Sequence, residues 1–191
     1  MTLLQRRQDE LITGEELSRM PDLGPCELVE GRIVPMPPTS SVHGEIETDV
    51  SAALKAYARE TGKGRVMGGE VGIYVRRDPD TVRAADVLFI SHERYSRRES
   101  KSYLDVAPEL VVEILSPDDL WSEVMEKLNE YFSAGVDAVW VLDPRRKEVF
   151  SYRSLTEVQR FGEGQILTDE EILPGFSLPI SDLFRAHTSR L

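Results

Sequence analysis

Hydrophobic positions along this chain follow two periods. Between Ser41 and Glu60, Ile46, Val50, Leu54 and Tyr57 recur at the spacing of one helical face, and Gly62 follows as a stop. Asp119 to Ala134 repeats the pattern with Leu120, Val124, Leu128, Tyr131 and Phe132, and Gly135 follows. A shorter helix is predicted to open at Thr13, where Thr13 and Glu16 have capping-box spacing, and to end by Pro21.

The other apolar positions alternate or form short runs. Cys26 to Pro35 reads as two strands around a tight turn at Glu30-Gly31. Val71 to Val75 alternates like a strand. Val87–Ile90, Leu110–Leu115 and Ala138–Leu142 are short runs whose β-branched content favours buried strands, and Glu148–Arg153 should pair with the last of them as a hairpin. From Gly162 onward the chain is rich in turns and yields no assignment. The predicted order, α-ββ-α-βββ-α-ββ, points to an α/β (mixed α+β) fold with a central mixed sheet flanked by helices. No repeat and no Pro/Gly/Ser-rich linker divides the chain, so residues 1–191 are expected to form one domain.

Composition narrows the class. The single cysteine, Cys26, cannot form an internal disulfide, which fits a reducing compartment. Met1 to Glu10 has two arginines, an aspartate and a glutamate, with no apolar core of signal-peptide length. No apolar stretch is long enough for a membrane span. A soluble, cytoplasmic protein is expected. The net charge of -11 argues against tight non-specific nucleic-acid binding, which depends on Lys and Arg neutralising phosphates. The segment Arg94 to Lys101 runs the other way, with four basic residues against one acidic. It reads either as a solvated loop or as a phosphate-contacting one.

Candidate chemistry starts at Glu113, a carboxylate inside the apolar run Leu110–Leu115, where it is costly unless paired or metal-bound. The bland alternative is a structural ion pair. Asp86 stands at the mouth of the Val87–Ile90 run, where an ordinary strand-entry aspartate is also common. Together the two acids say more, because a divalent cation between two carboxylates turns their repulsion into attraction. Oxygen ligands without a His/Cys cluster suit Mg²⁺ or Mn²⁺ better than zinc. With about 100° of turn per helical residue, Lys127 borders the apolar stripe of Leu120, Val124 and Tyr131. It either snorkels to water or aims its ammonium at the carboxylate end of the sheet. Glu30, before the tight turn, is a further acidic candidate or a plain turn residue. His43 reads as a helix-start residue, and His92 and His187 have no cluster around them. Ser116-Pro117-Asp118 reads as a strand-to-helix turn with a capping function. No nucleophile elbow, P-loop or dinucleotide-binding glycine pattern is present.

Several segments then follow one another in a telling order. They are Glu27-Leu-Val-Glu-Gly-Arg-Ile33, Asp86-Val-Leu-Phe-Ile90, Ala107-Pro-Glu-Leu-Val-Val-Glu-Ile-Leu-Ser-Pro117, Glu126-Lys-Leu-Asn-Glu-Tyr131 and Ala134-Gly-Val-Asp-Ala-Val-Trp-Val-Leu-Asp-Pro144. The chain, over roughly residues 13–185, resembles the Uma-type family of restriction-endonuclease-like proteins, a bacterial group widespread in cyanobacteria. The resemblance implies the PD-(D/E)xK nuclease core, with Asp86 as its aspartate and Glu113 as its second acid. Ala85 stands where the family usually has proline, and Leu115 stands at the lysine position. The family's lysine has migrated to the following helix, which here points to Lys127. Glu30 would match the additional acid near the start of many such cores.

The reading with most support is a metal-dependent endonuclease acting on DNA phosphodiesters. Asp86, Glu113 and the Ile114 carbonyl would hold Mg²⁺ or Mn²⁺, Lys127 would orient water or neutralise charge, and Glu30 would support them. A catalytically silent module of the same fold, binding DNA or protein, is the alternative from another class. An unrelated hydrolase of small phosphate esters is the third. A homodimer is expected at the family level, with Phe176, Leu178 and Phe184 as apolar residues left over in the tail.

Overall fold

Thr13 opens the first helix as its sequence requires. Its side chain accepts a hydrogen bond from the Glu16 amide, and the Glu16 side chain accepts from the Thr13 amide, closing a capping box at the head of α1 (Gly14–Leu17). The computed structural model describes residues 11–21 and 23–184, so Met1–Glu10 and His187 lie outside the described residues. β1 (Cys26–Val29) and β2 (Arg32–Pro35) form the expected hairpin. Glu30 and Gly31 both take positive φ at its turn, which matches the twist of a two-residue hairpin loop.

α2 (Ser41–Thr61) is capped by the Ser40 side chain and stopped at Gly62 in the left-handed region. β3 (Gly64–Arg76) and β4 (Thr81–Ser91) form a long hairpin, well beyond the short runs that periodicity marked. After α3 (His92–Ser96) come β5 (Leu110–Ile114), α4 (Trp121–Ala134) and β6 (Ala138–Asp143). β5 and β6 pair in parallel, which needs a crossover, and α4 supplies it. β7 (Glu148–Tyr152) and β8 (Val158–Phe161) extend the sheet, whose order is β2-β1-β4-β5-β6-β7-β8 with β3 also on β4. The tail that resisted reading forms β9 (Ile166–Asp169), β10 (Leu173–Pro179) and α5 (Ile180–Leu183).

Alternation across the sheet builds two cores. Val87, Phe89, Val112, Ile114 and Trp140 face α2 through Ile46, Val50 and Leu54. Leu88, Ile90, Val111, Val139 and Val141 face α4 through Val124, Leu128 and Tyr131. The tail closes the α2 side: Phe176, Leu178 and Phe184 are buried in that core, so they are not apolar residues left for a partner. Leu120 is a second correction. It precedes α4 as its N-cap and is exposed, because the turn through Ser116–Asp119 carries the chain away from the sheet before the helix begins.

One irregularity positions the site. β3 occupies one edge of β4 along its length, so β1 and β5 share the other. β1 pairs there at Leu28↔Val82 and β5 at Val87↔Val112 through Phe89↔Leu110. Between them lies a gap in the ladder, flanked by Arg83, Ala84, Ala85 and Asp86.

Candidate active site

Backbone donors exposed by that gap still need partners, since an unpaired buried N–H costs about as much as a lost hydrogen bond. Two acidic side chains supply them. Ala84 N donates to Glu27 Oε1 at 3.0 Å, and Ile114 N donates to Asp86 Oδ2 at 2.7 Å. The β4–β5 register, carried one step past Val87↔Val112, sets Asp86 opposite Glu113. Asp86 thus lies in the gap itself, while Glu113 alternates with Val111 toward α4.

α4 meets Glu113 with two donors. Lys127 Nζ lies 3.3 Å from Glu113 Oε2, and the Tyr131 hydroxyl donates to Glu113 Oε1 at 2.6 Å. Lys127 Nζ also lies 3.1 Å from Glu27 Oε1. Glu27 is buried, and its other oxygen accepts from Arg83 Nη1 at 2.8 Å, while Arg83 Nε donates to Glu130. A continuous chain of charge therefore runs Glu113–Lys127–Glu27–Arg83–Glu130.

His43 approaches from the α2 side. Its Nε2 is 3.2 Å from Asp86 Oδ2, and its Nδ1 is buried without a hydrogen-bond partner. One turn further along α2, Glu47 Oε1 accepts from Gly69 N at 2.8 Å.

The protonation equilibria record this crowding of acids. Burial, then the Asp86 charge, push the Glu113 carboxyl up to about 7 despite the opposing pull of Lys127. Burial works against the Lys127 ammonium, but Glu113 and Glu27 outweigh it and hold its pKa above the ordinary lysine range. Burial also works against the Glu27 carboxylate, and Lys127 and Arg83 outweigh it, so its pKa falls. In His43, burial is outweighed by Asp86, Glu47 and Glu113, and its pKa rises.

Of the four residues singled out from sequence, the structure brings Asp86, Glu113 and Lys127 together. Glu30 is elsewhere. Its side chain is 64% exposed at the hairpin turn and pairs with Arg76, because the left-handed turn points it away from the gap. Glu27, three residues earlier, reaches Lys127 instead. Sequence reading missed Glu27, Glu47 and the polar roles of His43 and Tyr131. A signal existed for Glu27, an acid on a short strand beside the buried Leu28. The basic segment is tied into the protein at Arg94, which pairs with Glu109 and Asp137, while Arg97 pairs with Glu93 at the surface and the exposed Arg98 lies over the Tyr95 ring.

Two carboxylates beside a backbone segment fit a hard cation that keeps much of its water, as Mg²⁺ does. A cation there would offset both the burial and the nearby Asp86 charge that raise the Glu113 pKa. Among the described residues, no three His, Cys, Asp or Glu side chains converge as a ready metal cage. A small cavity of about 70 Å³ opens beside this cluster, lined by Glu113, Leu115, Glu123, Val124 and Lys127.

The sequence model of the Uma2 family, described as "Putative restriction endonuclease", matches residues 15–181. Among solved structures, the chain is similar to a protein from Anabaena variabilis described as a putative nuclease belonging to DUF820. The two are 24% identical, with a TM-score of 0.75, and the match covers 91% of this chain and 98% of that one. That likeness shows the shared fold. No curated protein matches the sequence.

Proposed function

We propose that this chain, which belongs to the Uma2 family of restriction-endonuclease-like proteins, is a single-domain endonuclease that hydrolyses DNA phosphodiester bonds with Mg²⁺ or Mn²⁺. The observation that supports this most is the convergence of Asp86, Glu113 and Lys127 at a gap in the sheet ladder. Asp86 and Glu113, with the Ile114 carbonyl, would hold the ion. A divalent ion held there polarises a phosphate oxygen and lowers the pKa of a bound water. Lys127 stays protonated at neutral pH, so it acts as a fixed cation and not as a general base. Its ammonium neutralises charge that grows on the phosphate oxygens as the P–O bond breaks. Glu27 holds the Lys127 ammonium beside Glu113, the supporting task that sequence reading gave to Glu30.

The test is a plasmid-nicking assay with Mg²⁺, Mn²⁺ or chelator. Cleavage is expected with either ion, none with chelator, none with Asp86→Asn, and wild-type rates with Glu30→Gln. Folded protein that cleaves no DNA with either ion would favour the second reading, a binding module of the same fold. The net charge of -11 and the pairing of Arg94 with Glu109 and Asp137 favour that reading.

The homodimer belongs to this proposal as well, now on a different surface. Among the described residues, no strand pairs with the outer edge of β8, where Val158 is exposed, and Ile166 is exposed on β9. An open strand edge is a template for pairing with another chain. Light scattering is expected to give twice the 21.6 kDa chain mass, and a monomer at micromolar concentration refutes the dimer without touching the nuclease reading. No helix among the described residues is long and apolar enough to cross a membrane.

A further inference from the structure

Tyr131 is a polar side chain of the α4 core with no part in the mechanism above. It is fully buried, packed in the cluster that includes Leu128, Val139 and Val141. A phenol in such surroundings needs a partner, and its partner is Glu113 Oε1. Lys127, one helical turn earlier, takes Oε2. Residues four apart share a helix face, so a single turn of α4 engages both oxygens of one carboxylate.

The two donors are unlike each other. An ammonium is a compact charge with rotatable hydrogens on a flexible stem, and it tolerates many carboxylate orientations. A packed ring has two torsions, both set by its neighbours, so its hydroxyl oxygen is fixed in space. The terminal torsion of a glutamate is broad on its own, and a short bond from a fixed oxygen restricts it. Each carboxylate oxygen also carries a second lone pair, so the bond from Tyr131 leaves Oε1 able to accept again.

We propose that Tyr131 is a positioning residue whose hydroxyl fixes the plane of the Glu113 carboxylate for ion binding. This rests on the reading of Asp86 and Glu113 as the ion-holding pair. Tyr131 touches neither substrate nor ion and acts through Glu113. Were it only filling the core, phenylalanine would serve as well.

Mn²⁺ binding, followed by water-proton relaxation on folded protein without DNA, separates these roles. Tyr131→Phe is expected to raise the Mn²⁺ dissociation constant about 10- to 100-fold, the usual effect of losing a partner that orients a metal ligand. Cleavage at limiting Mn²⁺ should fall with it and recover at saturating Mn²⁺. Leu128→Ala, which loosens the same face of α4 but removes no donor to Glu113, should leave Mn²⁺ affinity as in wild type. p-Aminophenylalanine at position 131 keeps the ring and restores a donor, so it should recover most of the affinity. It also provides the measurement if the phenylalanine variant does not fold. Unchanged affinity in Tyr131→Phe, or an equal loss in Leu128→Ala, overturns the inference. If Glu113→Gln binds Mn²⁺ as tightly as wild type, the site reading itself fails, and this inference with it.

Discussion

Glu113→Gln is expected to lower metal-dependent DNA cleavage by about a thousandfold or more while making the metal-free protein more stable. Losing the ion's grip removes several kcal/mol of transition-state stabilisation, and about 1.4 kcal/mol corresponds to each factor of ten in rate. Glutamine keeps the shape and its one amide oxygen still accepts from Tyr131, while Lys127 loses Oε2 but keeps Glu27 as its partner, so the fold is expected to persist. The stability gain follows from proton linkage. The Glu113 carboxyl titrates near 7 in the folded protein against an ordinary value of 4.5. A raised carboxyl pKa means that the folded state holds a proton that the unfolded chain has already released. Its contribution is fully present below about pH 4.5 and is lost as pH rises through about 7. At pH 8 the ionised group therefore costs on the order of 3 kcal/mol relative to pH 4. Urea unfolding of both proteins across this range, without metal, should show the variant gaining on wild type as pH rises. Added Mg²⁺ should raise the melting temperature of wild type and leave the variant unmoved, since only a ligand that binds the native state stabilises it. Equal cleavage in both proteins would place the chemistry elsewhere.

Much of this architecture was legible because burial on two faces leaves a plain trace. The helix through Ile46, Val50, Leu54 and Tyr57, and the apolar runs of β4, β5 and β6, are read directly from spacing. Acids inside such runs stand out, which is why Asp86 and Glu113 were visible. Lys127 was visible because it borders a stripe, although Leu120, used to set that stripe, turned out to be the exposed cap. The tail was opaque for a physical reason: β9 and β10 form a separate small sheet interrupted by a register shift, so neither period persists long enough to detect. Glu27 was hidden by competition. Glu27 and Glu30 share one segment, and only the fold shows which one faces the gap. Tyr131 was hidden because its ring satisfies the helical pattern, and nothing in periodicity reports where a hydroxyl points. His43 is similar: a helix-start histidine becomes Asp86's partner only when α2 packs across the sheet.

The largest stability effect is expected at Arg83→Met. Arg83 and Glu27 are both buried, 2.8 Å apart, in the gap where β1 and β5 share an edge of β4. Breaking a buried pair from one side costs about 3–5 kcal/mol, whereas removing both charges is often close to neutral. Here Arg83→Met leaves Glu27 paired with Lys127 and Glu130 without its arginine, so the cost is expected toward the lower end of that range. Glu27→Leu combined with Arg83→Met should therefore be more stable than Arg83→Met alone, even though it carries one more substitution. The pH dependence runs opposite to that of Glu113. Arg83 and Lys127 together outweigh burial and lower the Glu27 pKa, so its contribution is present above its ordinary pKa and is lost as pH falls through the folded one. Removing Arg83 should weaken this acid-side loss. Cleavage separates stability from function. The double variant still lacks the carboxylate that holds the Lys127 ammonium, so its activity should stay low where its stability recovers. Urea titrations of wild type, both single variants and the double variant form a complete cycle, with the plasmid assay run on the same samples. A cost below about 1 kcal/mol for Arg83→Met, the range of exposed pairs, would mean that this ionic chain is solvated and does not hold Lys127 in place.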